Sequence, residues 1–201
     1  NGASSPMLTY VHLLKKNDDD TWPESAELDL TGLYGELPEI VDVSLAGATS
    51  SSMVSQQLPD VTDALGDSVS GTTVVMVTIA GNDVQRLLYN TAGTDDAIET
   101  ILEKLGDLYD YFEDPERFPD GSRVYLANVY EPSDGVGQAD ECFYGMNLEN
   151  VLPSLDAVNA ATRAQAEERG VAWIDLRGHF LGHGFNGDDS ENTYYEADDP
   201  S

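Results

Sequence analysis

One short run of residues constrains the fold more than any other part of the chain. Residues 72–80 (TTVVMVTIA) are almost continuously apolar and rich in the β-branched side chains that favour strands. The run is too short to cross a membrane, and its lack of alternation indicates a strand covered on both faces. Such strands belong to parallel sheets, whose neighbouring strands need long, usually helical, connections. The run therefore predicts an α/β fold.

The rest of the chain supports this prediction, because strand-like and helix-like apolar segments alternate along it. The strand-like runs are 39–45, 72–80, 123–129 and 171–174. The helix-like segments are 7–14, 53–65, 97–112 and 152–166. Pro59 is expected to kink or break the second helix. This order predicts right-handed crossovers in a three-layer α/β/α sandwich with a parallel sheet. We expect a single domain over 1–201, with an acidic tail or loop at 187–201.

The charge of the chain excludes several classes of partner. Nine Lys and Arg residues stand against 38 Asp and Glu, which gives a net charge of -29. Nucleic acids and anionic membrane surfaces both require a basic face, so neither is expected to bind. A saline habitat or secretion would account for the acidity. Residues 18–20 and 188–189 are acidic runs that offer oxygen ligands for Ca²⁺, but neither has the spacing of an EF-hand and no metal site is assigned.

The single cysteine, Cys142, excludes an internal disulfide and a cysteine-based zinc site. Its partner, if it has one, would lie outside this sequence.

Open parallel sheets bind their ligands at the carboxyl ends of the strands. Two of these ends carry small and polar residues, namely 46–50 (AGATS) and 81–84 (GNDV). We take them as the candidate site.

Residues 78–83 (TIAGND) resemble the third conserved block of the SGNH (GDSL-type) hydrolases, in which a strand ends in Gly-Asn-Asp. Residues 44–49 (SLAGAT) are similar to the second block, and the order and separation of the two also fit. Residues 173–176 (WIDL) and 178–184 (GHFLGHG) resemble a secreted, esterase- or lipase-like bacterial subgroup. The resemblance covers most of the chain and implies a flavodoxin-like strand order.

The resemblance implies a serine ester hydrolase that needs no cofactor. A serine attacks the ester carbonyl, a histidine takes the proton, and an aspartate orients the histidine. The oxyanion is held by the serine N–H, by the Gly47 N–H and by the Asn82 side-chain amide. Each of these two residues also has an alternative role without catalysis: Gly47 as a glycine required by a turn, and Asn82 as the N-cap of a helix. Asp83 is expected to start a helix or support the site. Small-molecule or lipid esters are the implied substrates, and the implied location is secreted or extracytoplasmic.

Two further blocks of the family are not found in this sequence. The nucleophile block Gly-Asp-Ser should end the first strand, and an Asp-x-x-His block should precede the last helix. We therefore expect the chain to lack that strand and that helix. In the implied order 2-1-3-4-5, the first strand is central. A further segment or a second chain is expected to complete the sheet.

Ser68 and two histidines are weaker candidates for the catalytic groups. Ser68 ends a Gly-Asp-Ser triplet, but no buried strand precedes it, so a surface loop is expected there. His179 and His183 are four residues apart, which on a helix would suit a metal. The neighbouring glycines favour a loop near the rim of the site instead, and a role as triad base stays open.

Two functions of other classes remain as alternatives. The first is a non-catalytic α/β binding module that keeps the family fold without the triad. The second is an acidic, Ca²⁺-dependent interaction protein.

Overall fold

The fold was analysed in a computed structural model of the chain. The structure describes residues 10–88, 93–137 and 148–184. Residues 187–201, Cys142 and the acidic pair 188–189 lie outside these ranges. The chain divides into two compact units, residues 1–42 and residues 43–201.

From residue 10 onward, the first unit contains two short helices, α1 (Tyr10–Lys15) and α2 (Leu30–Tyr34), with a 3₁₀ turn at Pro23–Ser25 between them. Asp29 caps α2, because its carboxylate accepts hydrogen bonds from the Gly32 N–H at 2.7 Å and from the Asn17 N–H at 2.9 Å. These two N–H donors, that of Asn17 first, lower the pKa of Asp29 below its usual value. One carboxylate therefore holds both the start of α2 and the chain that follows α1.

In its described residues, the second unit is built on a parallel sheet of three strands. The strands are β1 (Thr73–Thr78), β2 (Ser122–Ala127) and β3 (Ala172–Ile174), and they lie side by side in chain order. Its longer helices are α4 (Leu58–Leu65), α5 (Gly81–Leu87), α6 (Thr94–Glu113) and α7 (Leu152–Arg169). Helices α5 and α6 connect β1 to β2, and α7 connects β2 to β3. The predicted α/β class with a parallel sheet is confirmed.

The core lies on the face of the sheet that α6 and α7 cover. Val77 of β1 and Leu126 of β2 are register partners on this face, and they pack with Ile101 and Leu105 of α6 and Val158 of α7. All five side chains are buried. The three on helices belong to the apolar faces that the helical spacing predicts. This packing fixes the two longest helices against the strands.

The other face of β1 is more open. Val74 and Met76 point away from α6 and keep 46% and 39% of their surface exposed. Among the described residues β1 is an edge strand, paired with β2 alone.

The predicted strand at 39–45 is wrong, because the structure has no strand in these residues. A strand exists through hydrogen bonds to a neighbour, and β-branched residues alone do not supply one.

The prediction for 53–65 is corrected in detail. Helix α3 (Ser50–Ser52), a π-helical turn (Met53–Gln57) and α4 run on without a break. Pro59 lies in the first turn of α4, where a missing N–H is tolerated. Just before it, over Met53–Gln57, the backbone hydrogen bonds of the helix change to the wider π-helical spacing. No helix in the described ranges is long and apolar enough to span a membrane.

Candidate active site at the carboxyl end of the sheet

A strained turn brings Asn82 to the carboxyl end of β1. Ala80 is 2% exposed and adopts φ 77°, a conformation that costs a non-glycine residue about 1–2 kcal/mol. This turn lets α5 begin at Gly81, with only two residues between it and the end of β1. Ala80 therefore holds the N-cap position, and Asn82 lies in the first turn of α5. Strain of this kind persists only where the surrounding packing maintains it, and it is found most often at functional sites.

The side chain of Asn82 joins the two segments that the sequence selected. Its Nδ2 donates a hydrogen bond to the Ala48 carbonyl at 2.8 Å. An amide nitrogen carries two N–H groups, so this bond orients the group and leaves the second N–H for a ligand. Gly47, one residue before Ala48, is exposed and adopts φ 80°. The structure thus places Gly47, one of the predicted oxyanion donors, next in the chain to the residue that Asn82 contacts.

Asp83 ties the same two segments together from the neighbouring position. Its carboxylate accepts from the Ser50 backbone N–H at 2.9 Å and from the Ser50 hydroxyl at 2.8 Å. Ser50 is fully buried and opens α3, whose N-cap Thr49 forms a capping box with Ser52. The first turn of α3 is therefore fixed to the first turn of α5.

A cavity of about 380 Å³ lies beside Asn82. One wall is formed by Val84 of α5 and by Leu88 at its C-cap, and another is formed by the start of α7. The segment after β2 supplies a third wall. The described lining residues are Gly81, Asn82, Val84, Gln85, Leu88, Val129, Tyr130, Glu131, Pro132, Leu148, Val151, Leu152 and Leu155. Most of them are apolar, and Asn82, Gln85 and Glu131 supply polar groups.

The third wall is held by a buried carboxylate that the sequence analysis missed. Glu131 is 6% exposed and accepts from the Ser133 N–H at 2.7 Å, from the Ser133 hydroxyl and from the Gly135 N–H at 2.6 Å. The Ser133 hydroxyl oxygen in turn accepts from the Gly137 N–H at 2.8 Å. The sequence signal was present as a Glu-Pro-Ser-Asp-Gly run, which is typical of a turn stabilised by its own side chains.

Asp134 connects this turn to the segment that carries His183. Its Oδ1 accepts from the Gly182 N–H at 2.9 Å and from the Gly184 N–H at 2.8 Å. A side chain at Gly184 would collide with the Pro132 carbonyl, so the close approach requires glycine there. The cavity wall and the histidine segment are therefore parts of one hydrogen-bonded structure.

A second polar network lies at the ends of β2 and β3. Asn128 donates from Nδ2 to Asp175 at 2.7 Å and accepts from the Arg177 N–H at 2.7 Å. Asp175 also accepts from the Gly178 N–H at 2.9 Å. The Gly178 N–H, followed by the Asn128 amide, lowers the pKa of Asp175. This capping begins a short helix, α8 (Leu176–Phe180), where the glycines had suggested a loop.

The structure does not bring Ser68, His179 or His183 to the cavity lining. Ser68 is exposed in the loop before β1, whereas Asn82 follows the other end of that strand, which spans roughly 20 Å. His179 is exposed on α8, beside Phe180, whose ring stacks at 4.5 Å on Tyr130 of the cavity wall. Among the described residues, no group of three or more His, Cys, Asp or Glu side chains could hold a metal ion.

Comparisons with known proteins give similarity of structure only. No family model and no curated protein matches the chain. An extracellular lipase from Streptomyces rimosus is 21% identical with a TM-score of 0.47, over 74% of this chain and 70% of the lipase. A phospholipase A1 from Streptomyces albidoflavus is 18% identical with a TM-score of 0.46, over 75% of this chain and 65% of the phospholipase.

An acetyl xylan esterase is 16% identical with a TM-score of 0.47, over 69% of this chain and 59% of the esterase. The chain thus spans less than two thirds of the phospholipase and of the esterase. At such low identities and TM-scores, the chemistry of the site has to be derived from its own residues.

Proposed function

We propose that the chain carries the oxyanion-binding part of a serine-type ester hydrolase. The hydrogen bond between Asn82 and the Ala48 carbonyl carries this proposal. It orients a neutral amide at the carboxyl end of a parallel strand, beside an apolar cavity and next to Gly47. A neutral donor suits the reaction, because it stabilises a developing oxyanion without neutralising the catalytic base.

The reaction has two steps in this class of enzyme. A serine oxygen bonds to the ester carbonyl carbon while its proton passes to a histidine, and the carbonyl oxygen becomes an oxyanion. The bond to the alcohol then breaks, and the histidine proton leaves with the alcohol. Water hydrolyses the acyl-enzyme by the same two moves and releases the carboxylic acid. Asn82 and Gly47 would donate to the oxyanion in both steps, while the serine and histidine are not assigned to residues.

The test is the kinetic effect of removing one amide. Asn82→Ala should lower kcat for a p-nitrophenyl ester about 10²–10³-fold with little change in KM, because the donor acts when charge develops. Gln56→Ala removes an exposed amide from the helical segment after Thr49 and serves as the matched control. Activity of the Asn82 variant within a few-fold of the unsubstituted protein would refute the assignment.

The cavity lining favours a second candidate, a binding module without catalysis. Among the described residues that line the cavity there is no serine, cysteine or histidine. A fluorophosphonate probe distinguishes the two functions, because it labels an activated serine covalently. Stoichiometric labelling supports the hydrolase. Absence of both labelling and hydrolysis, with a ligand still bound in the cavity, supports the binding module.

A further inference from the structure

We infer that the cavity beside Asn82 binds an unbranched, medium-length acyl chain, so that the substrates are neutral esters of about six to ten acyl carbons. This inference rests on the proposed function, since it names the substrate of the same site. The dimensions of the cavity, its walls and its charge each support it separately.

The length of the cavity suits an octanoyl chain. Asn82 of α5 and Leu88, the residue that follows the last residue of α5, both line the cavity and are six residues apart. At about 1.5 Å per helical residue, these two positions are about 9 Å apart along the axis. An extended hydrocarbon advances about 1.3 Å per bond, given a C–C bond of about 1.5 Å, so roughly seven bonds fill that distance.

The volume agrees with the length. A water molecule takes about 30 Å³ in the liquid, and a methylene group is of similar size. A cavity of 380 Å³ therefore has room for about a dozen such groups. An acetyl group would leave most of this space empty and would leave most of the apolar wall without contact.

The walls are two apolar helix faces. Val84 of α5 and Leu88 at its C-cap are one turn apart, and Leu152 and Leu155 are one turn apart on α7. Val84 and Leu155 are 3% and 4% exposed, so the inner wall is held by the core itself. A flexible chain between two such faces gains binding free energy with each methylene that it buries.

Charge favours a neutral ester over the free acid. The described lining residues include two ionisable side chains, Glu131 and Tyr130, and neither is a cation. The chain as a whole carries a net charge of -29. An acyl carboxylate would therefore meet a negative field and no cation in this part of the cavity. A neutral carbonyl avoids that repulsion and accepts a hydrogen bond from the second N–H of Asn82. Release of the acid product would be favoured for the same reason.

Ligand binding is measured first, without reference to hydrolysis. Methyl heptyl ketone has the chain and carbonyl of an octanoyl ester but no bond to hydrolyse. With the whole chain methyl-labelled for NMR, the ketone should shift the methyl signals of Val84, Leu88 and Leu155. Octanoate should bind at least tenfold more weakly, and acetone should cause no shift at these residues. Shifts confined to other methyl groups, or tighter binding of octanoate, would overturn the inference.

Chain-length selectivity is measured second. Leu88→Trp and Leu152→Phe fill the cavity from its partly exposed walls and should lower kcat/KM for the octanoyl ester at least tenfold relative to the butanoyl ester. Ala164→Phe, at an exposed position further along α7, is the matched control and should leave the ratio unchanged. A preference for acetyl esters, with no ketone shift, overturns this inference and leaves the hydrolase proposal intact. Ketone shifts without any hydrolysis overturn the hydrolase proposal and leave the binding of an acyl chain in the cavity intact.

Discussion

The most exacting stability prediction concerns Asn159, a buried amide on α7. Its Oδ1 accepts from the Val129 N–H at 2.9 Å, and its Nδ2 donates to the Val129 carbonyl at 2.8 Å. Val129 lies beyond the last residue of β2, so the side chain supplies the two bonds that a neighbouring strand would supply. Asn159 thereby holds one wall of the cavity against α7.

Asn159→Ala should lower the free energy of unfolding by about 2–4 kcal/mol. The substitution leaves two backbone groups unpaired at about 1–3 kcal/mol each. The lower part of that range applies because Val129 is only half-buried and water can reach it in part. Urea unfolding followed by circular dichroism measures the change.

Arg163→Ala provides the control on the same helix. This residue forms an exposed i,i+4 ion pair with Glu167, and exposed pairs of this kind contribute little to stability because water and salt screen them. If Asn159→Ala costs no more than this control, Asn159 does not hold Val129 as described.

Two further predictions follow from other polar groups. Tyr109 is fully buried with no hydrogen-bond partner for its hydroxyl among the described residues, and burial raises its pKa to about 12. Tyr109→Phe should therefore raise the free energy of unfolding by about 1 kcal/mol in urea, and a loss of stability would show that the hydroxyl has a partner. The pKa of Asp175 lies below its ordinary value of 3.8, so its stabilisation is complete above pH 3.8 and is lost as the pH falls through the lower, folded value. Asp175→Asn should flatten this acid loss in thermal unfolding measured between pH 2 and 5; an unchanged pH profile would contradict it.

The sheet and its long helices were predictable because their signals are periodic. Strands β1 and β2 and helices α6 and α7 all lie where apolar residues recur at strand or helix spacing. Gly170, which follows α7, adopts the left-handed conformation that ends helices. The rule that parallel strands present ligand sites at their carboxyl ends also selected Asn82 and its neighbours, although their catalytic roles stay predictions.

What the sequence did not predict depends on contacts between distant residues. The pairing of Asn159 with Val129 and the bonds from Asp134 to Gly182 and Gly184 have no local pattern, because each is set by how the elements pack. Helix α8 was missed because Gly178 favours loops unless a cap such as Asp175 offsets it.

The central claim is that the Asn82 amide faces the carbonyl of an ester whose acyl chain occupies the adjacent cavity. A crystal structure with heptyl trifluoromethyl ketone tests it directly, because this ketone forms a tetrahedral adduct with an activated serine and otherwise binds unreacted. The account predicts the ligand oxygen about 3 Å from Asn82 Nδ2, with the bond to Ala48 kept and the alkyl chain between Val84 and Leu155. A ligand oxygen more than about 4 Å from Asn82, beyond hydrogen-bond distance, or an alkyl chain outside the cavity would contradict it.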